Sequence, residues 1–242
     1  MQKNNAGLSL VELSISILVI GIILAGVIEG SSLIRSAKIR KIVTEFTNYN
    51  SLVNSFEQQY HYLPGDIPNA QQYWPAASVG NGNGIIDGDN SNHYSENLLL
   101  WQHLVLSGLL AGPYNGIPVD GSTDLGVGIN IPVSDPYSQI GYLYTQSNPG
   151  NISFYYYGNT GLALMATAIS GGQPLFGALT AKDAYSIDMK IDDGIAASGN
   201  FITIRQPGSS GCLDNDYNAA SANYILDNTD ADCIMLYWYR KI

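Results

Sequence analysis

The sequence predicts an α+β protein: one long amino-terminal helix, its first half membrane-spanning, packed on a small globular domain built on an antiparallel β-sheet. Three observations predict it. An apolar run extends from Leu13 to Ile28, and the stretch from Ile39 to Tyr60 repeats apolar residues at steps of three and four. The remainder is rich in turn and strand formers, with 26 Gly, 10 Pro and 17 Tyr in 242 residues. The expected divisions are a short basic start at 1–7, a helix at 8–60 with its membrane-spanning part at about 10–29, and a globular domain at 61–242.

Each element follows from its pattern. Ile39, Ile42, Val43, Phe46, Tyr49, Val53, Phe56 and Tyr60 form one stripe on a helical face, which stops at Pro64-Gly65. A helix over 8–60 is on the order of 80 Å long at 1.5 Å per residue. Gly26 and Gly30 carry the spacing of close helix packing, and with Ser31 and Ser32 they make this region a weak helix former. Turn signals fill 63–88, including Leu63-Pro64-Gly65-Asp66 and Gly80-Asn81-Gly82-Asn83-Gly84. A helix is expected from about Ser91 to Leu110, with Leu98, Leu99, Val105 and Leu109 facing the core and Gly112-Pro113 stopping it. Gly141–Thr145 and Ile152–Tyr157 are expected to pair as strands; Pro174 to about Ile191 reads as a helix, and Phe201–Arg205 and Ile234–Tyr239 as further strands.

Composition narrows the function. Only 12% of residues are charged, with 20 acidic against 10 basic, a formal charge of −10. Such a chain lacks the basic surface that nucleic acid requires. Residues 61–242 suffice for one well-cored domain, not for a two-domain enzyme. His61, His93 and His103 have no zinc-like spacing, and neither a nucleophile elbow nor a phosphate-binding loop occurs, so no catalytic residues are assigned. Cys212 and Cys233, an even pair late in the chain, read as a disulfide contributing roughly 3 kcal/mol by the loop-entropy account; two buried thiols are the alternative.

The most informative stretch is Gly7-Leu8-Ser9-Leu10-Val11-Glu12, which sets an acid at the mouth of the apolar run. A carboxylate there costs several kcal/mol unless it finds a partner. Glu12 calls for a positive charge. An ordinary secretory signal cut near Ala25-Gly26 or Gly30-Ser31-Ser32, or a plain signal anchor, would also have a basic start and an apolar core, but neither explains the acid.

In this stretch the sequence resembles the prepilin family, the precursors of type IV pilins and of type II secretion pseudopilins. The resemblance implies a pilin-like fold, a leader at Met1–Gly7, cleavage after Gly7 by a prepilin peptidase, N-methylation of Leu8, and a tetrad Ser9-Leu10-Val11-Glu12 that sets the acid at the fifth mature position. It implies that Glu12 pairs with the Leu8 α-amine of a neighbouring subunit and sets the axial register of a filament. Leu8 departs from the family's commoner Phe, and Glu29 stands where many pilins place Pro. Arg35, Lys38, Arg40 and Lys41 follow the apolar run and only Lys3 precedes it, so the positive-inside rule alone would invert the chain. The resemblance instead keeps the leader in the cytoplasm, the helix in the inner membrane and the domain in the periplasm, an oxidising space that suits the cysteines. Implied partners are other pilins or further copies of this chain, the peptidase and the assembly machinery. The expected function is a structural filament subunit and not an enzyme; the alternative is a low-abundance tip pilin or anchored adhesin whose Leu213–Asp232 region makes contacts.

One acidic cluster invites a metal. Asn81, Asn83, Asp87, Asp89 and Glu96 set hard oxygen ligands among glycines, as a Ca²⁺ loop requires. Gly80–Asp87 resembles part of an EF-hand or dockerin loop, although Val79 occupies the first ligand position, and some pseudopilins hold a structural Ca²⁺. An Asn/Gly/Asp turn that binds only water is the alternative, and Asp192-Asp193-Gly194 reads in the same two ways. No other cofactor is expected.

Overall fold

The computed structural model describes residues 9–86, 96–119, 125–147, 161–206, 208–215 and 222–241. The protein is α+β and pilin-like, a long helix followed by an antiparallel sheet domain. It comprises two compact units, residues 1–40 and 41–242.

Helix α1 runs unbroken over Leu10–Tyr60, through Gly26, Gly30, Ser31 and Ser32. Its hydroxyls are turned back on the backbone: Ser14 Oγ donates to Val11 O at 2.8 Å, Ser16 Oγ to Glu12 O at 2.7 Å, and Ser31 Oγ to Ile28 O at 2.8 Å. Such back-bonding lets serine sit in an apolar segment without an unmet donor. The helix closes at His61, whose φ of 60° is the left-handed conformation of a C-cap; its N–H reaches Glu57 O at 2.9 Å. Leu63-Pro64 then cannot continue the helix.

In the second unit, the α1 stripe meets a six-stranded sheet. The strands are β1 (Val133–Ser134), β2 (Tyr137–Ser147), β3 (Gly161–Ser170), β4 (Gln173–Phe176), β5 (Phe201–Arg205) and β6 (Cys233–Lys241). Their order is β1-β2-β3-β6-β5, with β4 also pairing β3, and every pairing is antiparallel. Direct partners share a face, so Tyr144, Leu164, Tyr237 and Phe201 form one row across the sheet, with Tyr142, Ala166, Met235 and Thr203 beside it. Phe46 of α1 sits over these rows, with ring centroids 5.5 Å from Tyr142, 5.4 Å from Phe201 and 6.2 Å from Tyr237. Ile42, Tyr49, Val53 and Phe56 are buried along the same stripe.

Helix α2 (Glu96–Leu106) brings Trp101 to the other side of Tyr49. It ends sooner than the sequence suggests, because Gly108 turns left-handed at φ 77° ahead of Gly112. Leu98, Leu99, Leu100, Trp101 and Leu104 fill the core, while Val105 and Leu109 are only half-buried. Expected strand Ile152–Tyr157 lies outside the described residues, and β2 pairs with β3, a strand the sequence reading did not assign. Residues 174–191 do not form one helix. Gly171 and Gly172, at φ 56° and 72°, reverse β3 into β4, and helix α3 (Ala181–Ile191) begins only at its N-cap Thr180, whose side chain accepts from Asp183 N.

Truncating Phe46 to Ala empties the meeting point of three rings. We expect a loss of about 4 kcal/mol in chemical denaturation of the detergent-solubilised protein. A loss below about 1 kcal/mol would mean that α1 is not seated on this row.

Candidate functional site

The amino-terminal segment is organised by Ser9 and Glu12. Ser9 N donates to Glu12 Oε2 at 2.9 Å, and Glu12 N donates to Ser9 Oγ at 3.2 Å, a reciprocal capping box at the start of α1. Ser9 O accepts from Leu13 N at 3.1 Å, the first helical bond. The carboxylate therefore stands at the end of the helix where backbone N–H groups gather and negative charge is favoured. Gly7 and Leu8 lie outside the described residues.

What surrounds this acid is apolar and uncovered. Every Leu, Ile and Val from Leu10 to Ile34 is exposed. Added Cβ atoms at Gly21, Gly26 and Gly30 would meet nothing within 4 Å, so three flat patches interrupt the apolar surface. The helix is long and apolar enough to cross a membrane. An apolar surface of this extent requires lipid or protein against it.

The loop that invites a metal is arranged around a carboxylate. Asp66 is buried; its Oδ1 accepts from Gly82 N at 2.6 Å and Asn83 N at 3.1 Å, and its Oδ2 from Gly84 N at 2.8 Å. Gly82 and Gly84 are left-handed, at φ 75° and 79°, which aims successive N–H groups inward. Asn81 Oδ1 accepts from Asn83 N at 2.9 Å and Asn83 Oδ1 from Ile85 N at 2.8 Å, while Glu96 Oε1 holds Asn81 N at 2.9 Å. In the described part of the loop, backbone N–H groups are thus turned onto side-chain oxygens. Asp87 and Asp89 lie outside the described residues. Asp192 and Asp193 form a helix-ending turn: Asp192 Oδ2 accepts from Asn200 N and Phe201 N, and Asp193 Oδ1 from Ile195 N at 2.8 Å.

His103 is a core histidine. Its Nδ1 accepts from Gly65 N at 2.8 Å and its Nε2 lies 2.8 Å from Ser78 O, so the neutral Nε2–H tautomer satisfies both contacts. Burial holds its pKa below the usual histidine range. Sequence reasoning missed three acids with structural tasks. Buried Glu45 accepts from Ser134 Oγ and Tyr142 Oη at 2.7 Å each and from Asp135 N at 2.9 Å. Glu57 accepts from Tyr239 Oη at 2.8 Å and pairs with Arg240. Asp188 accepts from Tyr224 Oη at 2.8 Å, which also lies 2.8 Å from Thr203 Oγ1. The signal for Glu45 was legible, since an acid three residues after Ile42 stands on the apolar stripe.

Cys212 and Cys233 are joined in a disulfide, with Cα atoms 5.1 Å apart. Cys233 opens β6, and Leu213 bridges Tyr224, so the bond fastens this C-terminal segment to the sheet beside the Asp188 network.

These features define a protein with an uncovered apolar helix, a capped acid at its mouth and a disulfide-fastened α+β domain. Residues 2–28 match the family model described as the prokaryotic N-terminal methylation motif, and the chain thereby carries the prepilin-type signature. No curated protein and no solved structure matches the chain.

Burial raises the Asp188 pKa to about 6, against the lowering effect of bonds from Tyr224 and Gly194 and with help from nearby Asp193 and Asp192. A raised folded-state pKa gives stability that is present at low pH and lost as pH rises through about 6. Asp188→Asn is expected to flatten that decline between pH 4 and 7 in thermal melts; an unchanged slope would remove Asp188 as its source.

Proposed function

We propose that the protein is a structural subunit of a type IV pilus or type II secretion pseudopilus. The single observation that carries this reading is the acid-headed segment at residues 2–28, matched by the methylation motif, continuing into a helix whose apolar residues to Ile34 are exposed. A peptidase removes Met1–Gly7, Leu8 is methylated, and the subunit rests in the inner membrane with its domain in the periplasm. Assembly then exchanges lipid for neighbouring helices. In that dry setting Glu12 takes the Leu8 amine of a neighbour, cancelling two charges that hydrocarbon disfavours. The Ser9 capping bond occupies one carboxylate oxygen and leaves Oε1 for the incoming amine. The chain's role is assembly and not catalysis. A tip pilin or adhesin is the second reading, favoured by the fastened segment around Cys212 and Cys233.

Protein purified from its own membranes is expected to begin at N-methylated Leu8 by intact mass and amino-terminal peptide. Glu12→Ala, in cells lacking other pilins, should leave processing intact and cut filament yield at least tenfold. A start at Met1 or beyond Gly26 would refute the pathway, and normal filaments from the variant would remove Glu12 from assembly. Calcium in the 81–89 loop is tested separately. With donors facing Asp66, we expect the same unfolding midpoint in excess Ca²⁺ and in chelator; a midpoint several degrees higher with Ca²⁺, lost in Asp87→Asn or Asp89→Asn, would overturn that expectation and make the loop a Ca²⁺ site.

A further inference from the structure

Glu29 is a second acid at the apolar part of α1, exposed and unaccounted for by the Glu12 contact. Its own helix offers it no cation: three and four residues away on either side stand Ala25, Gly26, Ser32 and Leu33. Among the described residues no hydrogen bond or ion pair reaches it. A charge in this setting is stable at a wet membrane surface and needs a cation once neighbouring helices exclude water.

We propose that Glu29 is a second intersubunit anchor, taken by Arg35 or Lys38 of a neighbouring copy of this chain. The inference rests on the filament reading above and deepens it. If Glu12 of one copy meets the Leu8 amine of the next, two parallel helices are offset by four residues, about 6 Å at 1.5 Å per residue. That offset sets Glu29 of the second copy level with Leu33 of the first. Arg35 is two residues beyond that level, about 3 Å, and Lys38 five residues, about 7.5 Å. Side chains on both parallel helices lean toward the amino terminus, and because Arg and Lys are longer than Glu, both cations reach further back than the Glu29 carboxylate does, which narrows the axial gap. At about 100° per residue, Lys38 lies about 80° round the helix from Glu12 and Arg35 about 140°, so Lys38 stands on the flank of the Glu12 side and Arg35 nearer the opposite face, from which its longer side chain must reach round. One pair of copies thus makes two ionic contacts in one register: the first copy gives Glu12 and a cation, the second an amine and Glu29.

This arrangement also bears on the basic stretch after the apolar run. Cations there oppose the orientation that the leader requires, a cost that assembly offsets where each copy's cation meets a neighbour's Glu29.

The test is charge reversal in the full chain, expressed in cells lacking other pilins. E29R is expected to be inserted and processed to Leu8 at normal level yet to lose filaments at least tenfold, with E29Q intermediate. R35E or K38E alone should also lose filaments, and one of the two combined with E29R should restore them. Normal filaments from E29R, or no restoration by either second change, overturns the anchor. Should E29R fail to be processed, E29Q decides: processed protein with wild-type filament yield overturns the proposal, and a reduced yield supports it. Failure of the broader reading looks different, because unmodified protein would then neither start at Leu8 nor form filaments.

Discussion

The folded domain depends on one stripe of α1. Ile42, Phe46, Tyr49, Val53 and Phe56 are apolar at helical spacing, and the sheet supplies the matching surface as rows of side chains in register across β2, β3, β6 and β5. Phe46 touches a ring on each of β2, β5 and β6, so a slip of one residue in any of these pairings would turn its partner to the opposite face. Two hydrogen-bonded acids fix how the helix lies: Glu45 holds the β1–β2 corner, and Glu57 holds the end of β6. Between them Asn50 Oδ1 accepts from Tyr144 Oη at 2.6 Å. The apolar stripe supplies the driving force, and these polar contacts select one placement along it.

The acidic composition has a structural account. A surplus of carboxylates over cations would destabilise a small domain if each were left to repel the others. Here Asp66, Glu45, Asp188 and Asp192 are turned onto backbone N–H groups and hydroxyls. These donors carry no net charge, so they accommodate acids without needing an equal number of bases. Asp66 is one case. In the Asn and Gly run at 80–84, left-handed glycines expose N–H groups, and the buried acid supplies the negative charge they attract.

The long helix and its stripe were legible because the 3.6-residue period is local. So was the capping box, since Ser9 and Glu12 are three residues apart. Strand β5 was readable at its exact bounds from a short β-branched run, and the two cysteines from their number and position. What escaped is non-local or masked by composition. β3, Gly161-Leu-Ala-Leu-Met-Ala-Thr-Ala-Ile-Ser170, is built largely of residues that favour helices, and it is a strand because β2 and β6 bind both its edges. Residues 174–176 adjoin a true helix in sequence, but the Gly171-Gly172 reversal pairs them with β3, and helix α3 starts only at its N-cap Thr180. Asp66, His103 and the donors that hold Glu45 meet across long stretches of sequence, and no spacing rule reaches that far.

Acids on the two parts of α1 therefore differ in kind. Glu45 and Glu57, within residues 41–60, have their donors inside the chain and are part of its stability. Among the described residues Glu12 has only a local cap, and Glu29 stands on a surface where every large aliphatic side chain is exposed. Burying that surface against lipid tails or against other helices gains little difference in hydrophobic free energy, because both environments are apolar. In the proposed assembly, specificity would come from what lipid cannot provide: close approach at Gly21, Gly26 and Gly30, and cations at fixed height for the two carboxylates. An apolar helix alone could slide along its neighbours, whereas in the proposed assembly acids separated by seventeen residues would have to meet their cations at the same offset, which fixes a register.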